Sequence, residues 1–279
     1  MSEAARMPAR DPHRFVNELD RAALDRLIAR LESRAQDTVF SRLFDKYVSH
    51  LDLSGRAKVL EMGCGTGANL RTLAKRGRLT GRAVGVDQCE AFINAAITYS
   101  RAEKINERIS FHVGDAHGLD FPPASFDVVI AHTLISHVSD PGRVLSEMAR
   151  VVRPGGTVVI FDGDYASLIY ACPDPAFGRQ MDAALANATF NNPSIMRELP
   201  HLLPVHGLKL TAAWGDAVAE IGQASYFESF AETYVPYVKE AGALPEQAIE
   251  AWHAQQKLAM KDGTFFASCN YYTFLVSRA

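Results

Sequence analysis

The run from Val59 to Gly67, Val-Leu-Glu-Met-Gly-Cys-Gly-Thr-Gly, constrains the fold of this chain more than any other stretch. Ala57 to Met62 is a short apolar run, which reads as a buried parallel strand. Three glycines follow at alternate positions, Gly63, Gly65 and Gly67. Residues without side chains let a ligand lie against the backbone while the chain turns sharply. A helical pattern from Asn69 to Lys75 begins at once. Strand, glycine-rich turn and helix in this order form the opening of a nucleotide-binding βαβ unit.

The rest of the chain extends that unit. Arg82 to Val86, Ile109 to Val113, Phe126 to Ala131 and Thr157 to Phe161 read as further strands, with helical patterns over 91–104 and 141–152 between them. The Pro154-Gly155-Gly156 turn supports a helix stop and a strand start. Such a series implies an α/β fold with a parallel sheet covered on both faces. Before it, Leu24, Leu27, Ile28, Leu31, Val39, Phe40, Leu43, Phe44 and Tyr47 recur at helical spacing. After it, Pro173, Pro175, Pro193, Pro200 and Pro204 divide the chain into short helical pieces. Leu208 to Trp214 is a candidate returning strand, residues 226–261 are helical, and residues 265–276 carry β-formers. The expected organisation is a helical preface over 1–55, a ligand-binding core over 56–164, and a helical cap with returning strands over 165–279.

Composition narrows the function. A net charge of −3 supplies no electrostatic reason to expect nucleic acid or an anionic membrane as partner. Arg21, Arg26, Arg30, Arg34 and Arg42 cluster, but Asp20, Asp25, Glu32 and Asp37 are interleaved with them, so the stretch reads as a solvated helix face. Cys64, Cys89, Cys172 and Cys269 form no C-x-x-C pair, which argues against a zinc knuckle or a disulfide framework and suits a reducing, cytoplasmic setting. The first fifteen residues, with Glu3, Arg6, Arg10, Asp11 and His13, have no apolar centre and read as a frayed start rather than a signal peptide. No stretch reaches the roughly 18 apolar residues of a membrane helix.

The glycine spacing and its neighbours select the ligand. Asp87 ends the next strand, 24 positions after Gly63, where a carboxylate can accept from both ribose hydroxyls. Nicotinamide proteins usually show G-x-G-x-x-G facing a pyrophosphate. Here the spacing is Gly63-x-Gly65-x-Gly67 with Glu61 beside it. A carboxylate there suits a ligand bearing a sulfonium and an ammonium, and would oppose a pyrophosphate. S-adenosylmethionine is therefore the expected cofactor. In Val113-Gly114-Asp115-Ala116, Asp115 is a candidate acceptor for the adenine amino group, with a plain turn as the alternative.

These segments, with Phe126-Asp127-Val128-Val129 and Val151 to Gly156, resemble the class I S-adenosylmethionine-dependent methyltransferases, in particular the group related to ubiquinone and menaquinone methyltransferases. The resemblance covers about residues 56 to 162. It implies a Rossmann-like, seven-stranded, mostly parallel sheet whose last strand is antiparallel. It also implies cofactor contacts from Glu61, Gly63, Gly65, Asp87 and Asp115, with His132 near the methionine part. Cys64, Asn69, Gln88, Gly114 and Ala116, beside those residues, complete the expected set.

The methyl acceptor is less legible. His132 and His137, after the fourth strand, are candidate bases for a phenol or an enol-like carbon acid, with loop support as the alternative. Asp162 and Asp164 could hold magnesium, but a polar loop is the preferred reading and no metal is expected. Aromatic residues of the cap, among them Tyr165, Phe190, Tyr226 and Phe230, suit a flat or lipophilic acceptor. The expected function is methyl transfer to an oxygen, carbon or nitrogen of a small aromatic, quinone-like or isoprenoid metabolite. Non-methylating chemistry in the same site and a regulatory module without turnover are the alternatives. A homo-oligomer packed through the preface is compatible with the sequence.

Overall fold

The computed structural model describes residues 11–279, so Glu3, Arg6 and Arg10 of the opening segment lie outside it. After a short 3-10 turn (Val16–Glu18) come two helices, α1 (Arg21–Gln36) and α2 (Thr38–Val48). Asp37 separates them: its backbone is extended, and its carboxylate accepts from the amides of Val39 and Phe40 to cap α2. Then come β1 (Lys58–Met62), α3 (Ala68–Lys75), β2 (Arg82–Asp87), α4 (Glu90–Ala102), β3 (Ile109–Val113), β4 (Phe126–His132) and α5 (Pro141–Val151). The chain continues through β5 (Val152–Tyr170), α6 (Pro175–Thr189), α7 (Ile195–Val205), β6 (Leu208–Gly222), α8 (Tyr226–Ala241), α9 (Glu246–Lys261) and β7 (Phe265–Arg278).

One seven-stranded sheet has the order β3-β2-β1-β4-β5-β7-β6. The first five strands are parallel, and β7, last in the chain, runs antiparallel to β5 and β6. Alternating strand residues divide between the faces. Val59, Val128, Ile130 and Val159 join the core under α1, α2, α3, α4, α6, α8 and α9, whereas Leu60, Met62, Val129 and Ile160 join the core under α5 and α7. Strand order turns outward in both directions from the β1–β4 pair. In open α/β sheets the carboxyl ends at such a switch point form the ligand crevice.

Several sequence expectations need correction. β5 begins at Val152 and runs on to Tyr170, nine residues past Phe161, because β7 supplies antiparallel partners as far as Tyr170. Its pairing with β7 is interrupted by a register shift between Asp164 and Ile169. Its register against β4 shifts between Phe126 and Val128, where Gly155 adopts φ +75°. β6 likewise extends from Trp214 to Gly222 along β7. The helical stretch over 226–261 is two helices, parted at Gly242 with φ +63°. Pro200 and Pro204 lie inside α7 rather than ending it; Leu199 and Leu203, buried against the sheet, hold that helix in place. The chain from Asp11 onward is also not frayed: Asp11 is buried, and the Asp11 carbonyl accepts from Phe15 at 3.1 Å. Among the described residues, no helix is long and apolar enough to cross a membrane.

Candidate functional site

A cavity of about 300 Å³ opens over the carboxyl ends of β1, β2 and β4, and all the residues expected to contact the cofactor line it. Gly63 and Gly65 turn the chain at its floor with φ of +67° and +53°, and Gly67 follows with φ +72°. A side chain would be strained at each. At Gly63 and Gly67 a Cβ would also collide with Leu134 and with the Phe111 ring. The glycines are thus required by the backbone and by the packing on both sides of the loop.

Glu61, on β1, is buried at 1% exposure. Its Oε1 accepts from Asn69 Nδ2 at 2.7 Å, while Oε2 has no hydrogen-bond partner. Burial pushes its pKa to about 8, against the opposing pull of the Asn69 bond. Glu61 thus brings to the cavity lining a buried carboxyl with one unpaired oxygen.

Asp87 closes β2. Its Oδ2 accepts from the Gly65 amide at 2.8 Å and its Oδ1 from the Cys89 amide at 2.9 Å. It thereby ties the glycine loop to the next helix, and each oxygen keeps a lone pair for a hydroxyl. Its pKa is raised by burial, which these amides partly offset. Cys64 is buried within the loop, its amide bonded to the Val86 carbonyl at 3.0 Å. Gln88 lies at the rim and donates to the carbonyl of His13 at 2.9 Å. Gly114 and Ala116 flank Asp115, whose carboxylate accepts from the His117 ring at 2.6 Å and is 67% exposed.

The two histidines differ in kind. His132 is buried at the end of β4, its Nδ1 2.9 Å from the Tyr47 hydroxyl and its ring 4.5 Å from that of Phe161. Burial, then the nearby Arg34 charge, hold its pKa well below the usual histidine value, so it is neutral. The next residue, Thr133, has φ +53°, a strained setting for a branched residue, held by its amide bond to Phe161 and by Arg34 donating to its hydroxyl at 2.8 Å. His137 Nδ1 lies 2.8 Å from Oδ2 of buried Asp11. No described residue hydrogen-bonds its Nε2. This is the arrangement of a ring oriented by a carboxylate, with one nitrogen available.

Asp162 and Asp164 do not form a pair. Asp162 accepts from the amides of Ser136 and Gly163, and Asp164 is bound by Arg197 at 2.8 Å. Among the described residues no group of three or more metal-ligating side chains is assembled.

Other lining residues could not be anticipated from the sequence. His13, from the segment read as frayed, lines the cavity and meets Tyr234, while Asp11 beside it holds His137 from outside the lining. The arginine stretch is only partly a solvated face. Arg21 pairs with Asp25 in the open, whereas Arg30 is buried and Arg30 and Arg34 both line the cavity. The cavity thus has two halves: the glycine loop and strand ends on one side, and Tyr165, Phe190, Tyr226, Phe230 and Tyr234 on the other.

Residues 60–160 match the family model described as a methyltransferase domain. An uncharacterized 37.1 kDa protein of a transposon in Streptomyces fradiae is 30% identical over 80% of this chain and 63% of its own length. The 27-O-demethylrifamycin SV methyltransferase of Amycolatopsis mediterranei is 31% identical over 54% of this chain and 53% of its own. The chain therefore spans less than two thirds of the length of these relatives. Among solved structures, that of the cyclase SpnF superposes with a TM-score of 0.62 at 17% identity, covering 98% of this chain and 99% of that one, and so shares the fold. The sheet order, the glycine loop and this match agree in placing a methyltransferase domain over residues 60–160 of the chain.

Proposed function

We propose that this protein transfers a methyl group from S-adenosylmethionine to an oxygen, carbon or nitrogen of a small apolar metabolite, aromatic, quinone-like or isoprenoid. The observation that carries this reading is the two-part cavity, in which a glycine loop with an open buried carboxylate faces a chamber of aromatic rings. Bound there, the cofactor supplies an electrophilic methyl group on a sulfonium. The protein's own work is then to orient the two partners and to keep water away.

In this reading Glu61 receives a cationic part of the cofactor, Asp87 the ribose, Asp115 the adenine, and Arg34 the carboxylate of the methionine part. His137, oriented by Asp11, accepts a proton at Nε2 when the acceptor must lose one. His132 is a weaker candidate for that role, because burial suppresses its basicity and its Nδ1 is occupied by Tyr47. The 27-O-demethylrifamycin SV methyltransferase, a relative whose name implies a small-molecule acceptor, supports the acceptor class. A second reading, non-methylating chemistry in the same chamber, is favoured by the close fold match to a protein described as a cyclase.

The test is label transfer from methyl-labelled S-adenosylmethionine across phenol, quinone and terpenoid acceptors, with S-adenosylhomocysteine release measured alongside. Labelled product with stoichiometric release is expected. His137→Ala should lower turnover at least about 100-fold, the size of a general-base contribution, with cofactor affinity unchanged. Acceptor conversion without label or release would favour the second reading.

A further inference from the structure

Arg30 lies on α1, facing the aromatic half of the cavity. It is only 7% exposed, with Cζ 5.0 Å from the Tyr226 ring centre and 5.2 Å from those of Phe230 and Tyr234. Its Nη1 donates to the Ser229 hydroxyl at 3.0 Å. Among the described residues no carboxylate is in ion-pair contact with it; the nearest acid in sequence, Glu32, is engaged by Arg71 and Thr66. A guanidinium does not shed its proton in a protein. Ring faces ease a buried positive charge without neutralising it, and such charges are normally paired.

We propose that Arg30 is the anion-recognition residue of the acceptor chamber, and that the acceptor is an apolar molecule carrying one carboxylate. This rests on the reading of the aromatic half as the acceptor site. One fork of N–H donors matches one carboxylate. Arg14, which also lines the cavity, is exposed and turned to Asn191, so Arg30 is the one buried unpaired charge among the described rings, and it balances a monoanion and leaves a dianion in excess. His13, across the chamber on Tyr234, adds no charge, because burial and its neighbours hold it neutral. Arg34, one turn further along α1, is turned to Thr133 on the cofactor side.

The experiment is calorimetric titration of the full chain, with and without saturating S-adenosylhomocysteine, using 4-hydroxybenzoate, trans-cinnamate and geranate, each against its methyl ester. At least one acid should bind tenfold or more tighter than its ester. Arg30→Met should erase that preference, Arg30→Lys should keep part of it, and both variants should bind S-adenosylhomocysteine within about threefold of the parent. Esters binding as well as acids, no acid binding at all, or a preference that survives Arg30→Met would each overturn the assignment. Loss of S-adenosylhomocysteine binding by the unmodified chain would instead overturn the cofactor reading, and the acid–ester comparison without it would still judge Arg30.

Discussion

Glu61 and Asp87 are both acids at strand ends, yet their surroundings give them different tasks. Glu61 has one unpaired buried oxygen and a pKa raised by burial to about 8 from the ordinary 4.5, so it is largely protonated at neutral pH. Its contribution to stability is full below about pH 4.5 and is lost as pH rises through 8. A cation bound beside it favours the ionised form. Binding of S-adenosylmethionine at pH 7 should therefore release close to one proton, seen as a dependence of the calorimetric enthalpy on buffer ionisation, and Glu61→Gln should abolish that release. Asp87 instead accepts two backbone amides, one of them from the glycine loop. Asp87→Ala removes those tethers as well as the proposed ribose bonds. At about 1.5 kcal/mol or more for each of the two charged hydrogen bonds, cofactor affinity should fall at least about 100-fold in a direct binding assay. An unchanged affinity would remove Asp87 from the ribose site.

At the scale of elements, the position of α1 decides where the arginines point. Arg71 of α3, 5% exposed, binds Glu32 of α1 at 2.5 Å and Glu103, just after α4, at 2.6 Å, and Thr66 of the glycine loop also donates to Glu32. This clamp fixes the preface on the core and sets Arg30 and Arg34 over the cavity. Arg71→Met would leave the partly buried Glu32 without its cation and Glu103 with Lys75 alone, so unfolding in urea should show a loss of about 3 kcal/mol. Stability within about 0.5 kcal/mol of the parent would show the clamp to be dispensable. The helices and the parallel strands were legible from periodicity, but the far ends of β5 and β6 were not. Those ends are strand only because β7 pairs with them, and pairing between segments roughly 100 residues apart for β5 and roughly 50 apart for β6 leaves no local signal.

For the molecule as a whole, the cavity is closed by its most distant parts. Asp11 and His13 reach across to His137 and Tyr234, and Gln88 holds the His13 carbonyl. Removing residues 1–19 should leave the sheet intact by circular dichroism while weakening S-adenosylmethionine at least about tenfold, because one wall of the cavity is lost. Unaltered affinity would show that the opening segment is not part of the site.

By itself, the sequence determined the α/β class, the strand that carries the glycine loop, the acids at the next two strand ends and the cofactor they suit. Those features are local: each depends on residue types a few positions apart, where backbone sterics and hydrogen-bonding capacity act directly. Tertiary structure alone decided that Asp11 would orient His137, that His132 would be buried and neutral, and that Arg30 and Arg34 would turn inward from a helix whose charges looked solvated. Burial and charge pairing are properties of the packed chain. An arginine is a surface residue or a recognition group according to which helix comes to lie over it.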